Sequence, residues 1–221
     1  MTKTGGRKQQ KDDTRHRLFA AAAALFSECG YAGTTVAAIA RRAGVAKGTF
    51  FVHFASKDAV AVELVRLQVG AARRARVRAI EAGGSPLEAL RISVLTLGEQ
   101  AGHSRALSRA VLAATLENQE TGSEADAIFG EIYAEMIADA RAARRAGLIG
   151  PHPDPKTLAA SLMASYLGAA LHFTSSPRPQ PLIEILRPLV LATLPAARRS
   201  TSEEVPHVEK TRARIPRARR R

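Results

Sequence analysis

A chain of 221 residues with one cysteine, no tryptophan, three methionines and only 5% aromatic residues lacks the raw material for several kinds of chemistry. The lone Cys29 excludes an internal disulfide and suits a reducing compartment. Its place beside Phe26 and Gly30 at the end of a helical stretch reads as a small core residue rather than a redox sensor. Cysteine and histidine nowhere take a metal-binding spacing. There is no Gly-x-Ser-x-Gly elbow, no phosphate-cradling glycine loop, no His-Glu-x-x-His and no pair of carboxylates placed for acid–base work. Glu117 with Glu120, and Glu131 with Glu135, share helix faces but read as solvated acidic rows. An enzyme is therefore not expected, nor a cofactor. No apolar run approaches the ~18 residues a membrane helix needs, and the opening MTKTGGRKQQKDD has no apolar stretch at all. Membrane insertion and export are not expected, and the cytoplasm is the expected compartment. Neither an alternating strand pattern nor an internal repeat is present.

What the chain does have is aliphatic bulk and an uneven charge. Its hydrophobic content is 46%, carried mainly by Ala, Leu, Val and Ile, and its net charge is +13. Residues 1–64 contribute +5, residues 65–78 add five arginines and no acid, and residues 198–221 add +6, whereas residues 79–197 come to −3. A basic head on a mildly acidic body is the footprint of a protein that meets a phosphate backbone.

Apolar periodicity gives an all-helical reading. Residues 1–13 look like a disordered arm. A first helix is expected over 14–29, with Leu18, Phe19, Ala22, Leu25 and Phe26 inward and Gly30 as its stop. Val36, Ile39, Ala40 and Ala43 fall at i, i+3, i+4 and i+7 on a short second helix. Thr35 stands where a hydroxyl can cap it, and Gly44 supplies the turn. A third short helix runs over 46–53 with Phe50 and Phe54 as buried anchors. Two such helices joined by a tight glycine turn form a helix-turn-helix, whose second helix enters the major groove. Ser56 caps a fourth helix reaching 82, with Val60, Leu64, Leu67 and Ala71 in register and Asp58 suited to its positive end. Five more helices are expected near 86–101, 104–118, 123–146, 156–173 and 181–194. Gly102, Gly122 and the 147–155 and 175–181 runs punctuate them.

Gly30-Tyr31, Thr34-Thr35-Val36, Ile39-Ala40, Ala43-Gly44-Val45, Lys47-Gly48-Thr49, His53-Phe54 and Ser56-Lys57 agree in order and spacing with one known signature. Over residues 14–65 the chain resembles the DNA-binding part of the TetR family of regulators. It departs from that family's usual pattern at Ala46, where a serine is common, and at Phe51, where a tyrosine is. Both departures remove a hydroxyl, leaving those positions shape and packing. The resemblance implies a three-helix DNA-binding head over 14–56 and a larger effector-binding and dimerisation body over 57–197. Residues 198–221 form a basic tail read as disordered. It also implies a double-stranded DNA operator as partner, contacted by Thr35, Arg42, Ala46, Lys47, Gly48, Thr49, Phe51, Val52, His53 and Lys57. Lys47 is placed to reach a base edge or phosphate, Gly48 for close backbone approach, and His53 and Lys57 for the phosphate backbone. Thr35 is an N-cap as well as a candidate phosphate contact.

For the body, the family implies a small-molecule pocket and pairing of the last two helices with a second subunit. Leu182, Ile185, Leu186, Leu189, Val190 and Leu194 form one apolar stripe, and Leu158, Leu162, Tyr166, Ala169, Leu171 and Phe173 another. Self-pairing into a homodimer is one use of such stripes, and covering the monomer's own core is the other. His103, Tyr133, Met136, Met163, Tyr166, His172 and Phe173 are polar or soft groups set in apolar helices, the candidates for contacting a hydrophobic effector. The expected function is a sequence-specific repressor of a palindromic operator, released by a small molecule. The rival is a sequence-independent, architectural DNA binder. The tail, dense in arginine, either adds non-specific DNA affinity or merely solubilises.

Overall fold

The computed structural model describes residues 3–199 except 118, with side-chain surroundings for 6–194 except 117, 118 and 120. Among the described residues there are nine helices and no strand. Helix α1 (Lys3–Gly33) is followed by α2 (Val36–Arg42), α3 (Lys47–His53) and α4 (Lys57–Glu81). The body adds α5 (Pro86–Gly102), α6 (Arg105–Glu117), α7 (Gln119–Arg145), α8 (Pro155–Ser175) and α9 (Leu182–Arg199).

The caps explain most boundaries. Thr35 Oγ1 accepts from the Ala38 N–H at 3.2 Å, Ser56 Oγ from the Asp58 and Ala59 N–H groups, and Ser85 Oγ from the Glu88 N–H. Each supplies an acceptor to a helix start that has no intrahelical one. Gly44 turns the chain between α2 and α3 with φ +68°, a left-handed conformation a Cβ would resist. Gly30, at φ +73°, breaks α1 as expected, and one further turn runs on to Gly33.

Three expectations need correction. Residues 3–13 are helical rather than a disordered arm. Past Gly6, the segment from Arg7 to Arg17 is rich in strong helix formers, so a helix seated by Leu18, Ala22 and Phe26 propagates backward through it. Gly122 does not end a helix but lies inside α7. A Cβ there would come 2.7 Å from the Thr115 carbonyl oxygen, so glycine permits the close approach of α6 and α7. Leu67 is 49% exposed and so does not seat α4, whereas Leu64 is buried. The tail from 200 onward lies outside the described residues.

Two apolar cores result. The body core joins α4, α5, α7, α8 and α9 around Val65, Leu90, Leu97, Ile132, Leu162 and Leu186. The head core holds Leu18, Phe26, Ile39, Phe50 and Phe54, and it also takes in Ala110 and Ala114 of α6. One body helix therefore completes the head.

Candidate DNA-reading face and effector cavity

The recognition helix α3 divides cleanly into two faces. Phe50 is fully buried and Phe54 nearly so, their rings 5.7 Å apart, and they anchor α3 on Phe26 and Tyr31 of α1. Phe51 and Val52, at 51% and 68% exposure, point outward with Lys47 and Gly48. Large apolar side chains left in water on a short, well-anchored helix mark a contact surface. Ala46, at the start of α3, offers no capping side chain, as its lost hydroxyl implies. Thr49 is half-buried, and Thr35 is exposed while it caps α2.

Cations brought in from distant positions fix this face. The Arg15 guanidinium donates to the His53 carbonyl oxygen at 2.6 Å, pairs with Glu63 at 3.1 Å and lies 4.3 Å from the Phe54 ring centroid. Arg17 donates to the Ala43 carbonyl at 3.1 Å. Lys57 Nζ donates to the Tyr31 and Thr34 carbonyls at 3.0 and 3.3 Å and sits 4.2 Å over the Tyr31 ring. Each cation meets carbonyls at the end of a helix, where orphan acceptors and the negative end of the helix dipole favour positive charge. Lys57 is thus a strut of the head, with two of its three N–H groups engaged. Arg42 bonds Glu28 Oε2 at 2.6 Å, an exposed pair that pulls the Glu28 carboxyl below the usual carboxylate range. His53 Nδ1 is enclosed and has no partner among the described residues. Burial first, then the charges of Lys11 and Arg15, hold its pKa below the ordinary histidine value. A neutral ring with its proton on Nε2 buries only a lone pair at Nδ1, and presents an N–H outward.

The body contains a cavity of about 600 Å³ walled by α6, α7 and α8, with Gln68 of α4 and Ala101 of α5 at its inner end. Of the effector candidates, Tyr133, Met163 and Tyr166 line it. The other candidates do not. Met136 is fully buried in the body core, because its position on α7 faces inward between helices rather than toward the void. Phe173 is likewise core. His103 borders a second, smaller cavity of about 340 Å³ between α1, α4, α5 and α6. His172 is exposed near the end of α8 and lines neither cavity. Cys29, expected in the core, is exposed, as are all of residues 27–30 beyond Phe26.

Sequence reasoning missed the α6 wall, made by Ser108, Leu112, Thr115 and Leu116. Its signal was available: α6 is apolar on two faces. Leu107, Ala110 and Ala114 look toward the head core, while Leu112, Thr115 and Leu116 look into the cavity. The void itself comes from small residues, Gly130, Ala160 and Ala164, where larger ones would fill the space.

Comparison with known proteins bears on both halves. A family model described as "Bacterial regulatory proteins, tetR family" matches residues 18–64, which span the end of α1, the helix-turn-helix and the start of α4. The head carries the DNA-binding region of the tetR family. The chain is 44% identical over 57 residues to the HTH-type transcriptional repressor KstR2 of Mycobacterium tuberculosis, covering 26% of this chain and 28% of that protein. The A-factor receptor protein of Streptomyces griseus is 29% identical over 154 residues, 68% of this chain and 51% of the receptor. The chain thus spans from about a quarter to about half the length of these curated relatives. Among solved structures, the fatty acid degradation regulator FadR of Bacillus halodurans superposes with a TM-score of 0.68 at 20% identity, covering 82% of this chain and 94% of that one. FadR of Bacillus subtilis, solved in complex with stearoyl-CoA, gives 0.67 at 17% identity over 81% and 97%. At such identities the likeness shows the fold alone, and that fold runs through the body as well as the head. No described helix is long and apolar enough to cross a membrane.

Proposed function

We propose that the protein is a sequence-specific transcriptional repressor that binds a palindromic DNA operator as a homodimer and lets go when a small apolar molecule enters the α6–α8 cavity. The observation that carries this is the double duty of α6. One of its faces completes the core that seats α1 and the recognition helix, and the other forms a wall of the cavity. A ligand that favours one placement of α6 shifts the head by the difference in its affinity for the two states. Residues 14–56 act as the DNA-binding head and 57–197 as the effector-binding and dimerisation body. In the head, Lys47, Gly48, Phe51 and Val52 form the reading face, with Thr35, Arg42, Ala46, Thr49, His53 and Lys57 around it.

Dimerisation draws support from a set of residues that only partly overlaps the sequence stripes. Leu158, Leu162, Leu182, Leu186 and Val190 are buried within the monomer, but Leu167 and Leu171 of α8 and Leu189 and Leu191 of α9 remain about half exposed. These leucines are the surface on which a second copy packs.

Selecting fragments of the source genome on the immobilised protein, then footprinting the winners, tests the reading. The expected result is an inverted repeat with half-sites one helical turn or a multiple apart. Lys47→Ala should weaken binding to that site by about 1–3 kcal/mol and relax preference at one half-site position if it meets a base. Retention of random duplex as strongly as any selected fragment, at every salt concentration, would support the sequence-independent binder instead.

A further inference from the structure

The effector cavity carries information about the chemistry of its occupant, given that it is the effector site. Among the described residues no Lys, Arg or His lines it, and Asp126 of α7 is its one acidic side chain. Three of the wall hydroxyls already donate to backbone carbonyls. Ser108 donates to Ala101 at 2.6 Å, Thr115 to Val111 at 3.0 Å and Tyr133 to Lys156 at 3.3 Å. Tyr166 differs. Its residue is 4% exposed and its ring packs 6.1 Å from that of Phe129, yet its hydroxyl has no hydrogen-bond partner among the described residues. Nor is that oxygen sealed in protein: His53 Nδ1 and Arg144 Nε are the described side-chain atoms that are both enclosed and unpartnered. The Tyr166 hydroxyl therefore opens on the void its residue borders, which is this cavity. Burial raises its pKa to about 12, so it remains a protonated donor throughout the physiological range.

We infer that the cavity takes an uncharged, largely apolar molecule bearing a carbonyl-type oxygen, such as a ketone or ester, which accepts a hydrogen bond from Tyr166 at the buried wall. A carboxylate would enter a wall with no cation to meet it and with Asp126 opposing it, at the desolvation cost of an unpaired charge. A pure hydrocarbon would leave the buried phenol donor unpaired.

The test uses the full chain with three probes of similar length: 2-undecanone, decanoate and undecane. Affinity is read by calorimetry and by the rise in melting temperature that ligand binding produces. At about pH 8, where decanoate is ionised, the ketone should bind at least about tenfold more tightly than decanoate. Tyr166→Phe should weaken ketone binding about 3- to 10-fold while leaving undecane unaffected, since only a hydrogen bond is removed. Asp126→Asn, a surface change that spares the core, should narrow the gap between ketone and decanoate without weakening the ketone. Equal affinity for decanoate, full ketone affinity in Tyr166→Phe, or no binding of any probe overturns the inference. Ketone binding that depends on Tyr166 but never releases operator DNA would leave this inference standing and refute the regulatory reading. Release of the operator by a ligand indifferent to Tyr166 would do the reverse.

Discussion

The two ends of α4 are held to the body in opposite ways. Along its length α4 faces the acidic side of α7 through a ladder of arginines. Near the head, Arg66 meets Glu124 at 3.0 Å with both side chains about half exposed. Midway, Arg73 bridges Glu131 and Glu135 at 2.9 and 2.7 Å. At the far end Arg76 grips Asp139 with two bonds of 2.5 and 2.6 Å, and the two side chains are only 17% and 7% exposed. Exposed pairs contribute about 0–1 kcal/mol, whereas opening a buried one strands a charge at about 3–5 kcal/mol. The same chemistry, graded by burial, makes a fixed end and a loose end as far as ion pairs go, while the buried apolar residues of α4, Val60 to Ala72, lie toward the head. Under the proposed function, the weakly paired end is where α4 would yield, while Arg76 and Asp139 hold its C-terminal half.

Breaking the fixed end should cost most. Asp139→Ala leaves Arg76 facing only Glu135 at 3.8 Å, and urea denaturation should show a loss of about 2–4 kcal/mol, somewhat below the full buried-pair penalty. A loss under half a kilocalorie would mean that Arg76 reaches water freely and that no fixed end exists. The head's own anchor comes next. Arg15→Met removes the hydrogen bond to His53, the ion pair and the ring contact together, with an expected loss of about 1–2 kcal/mol and weaker operator binding. If affinity for the operator survives that substitution, α3 is positioned by its phenylalanines alone. The loose end gives the smallest effect on stability: Glu124→Gln should change it by less than about 0.5 kcal/mol. That variant should still alter the effector concentration needed to release DNA, because the loose end is where α4 moves. A ligand response identical to the parent's would place the motion elsewhere.

The head's helices were legible because local chemistry repeats within a turn or two: Thr35 before Val36, Gly44 between two short helices, Phe50 one turn before Phe54. The roles of its charges were not. Arg15 and His53 are 38 residues apart, and Lys57 and Tyr31 are 26 apart, so nothing in local spacing announces their contact. A lysine counted toward the basic DNA footprint is in fact tied into the head's frame. The same limit hid the cavity. Tyr133, Met163 and Tyr166 could be picked out as soft groups on apolar helices, but a void is made by what is missing at Gly130, Ala160 and Ala164, and small residues look alike whether packed or lining space. The arm at 3–13 was misread because polarity was taken for disorder, when its residues are good helix formers with a seated helix to extend.

The arginines and lysine that meet helix ends in the head decide what counts as a transplantable unit. The signature that carries the family resemblance runs over residues 30–57, yet two carbonyls inside it, those of Ala43 and His53, are met by arginines from α1. A chimera that grafts only those residues onto another regulator would import the reading face without the side chains that hold it. The smallest portable module runs from the basic turn of α1 that carries Arg15 and Arg17 through the first turns of α4, where Lys57 and Glu63 close the frame.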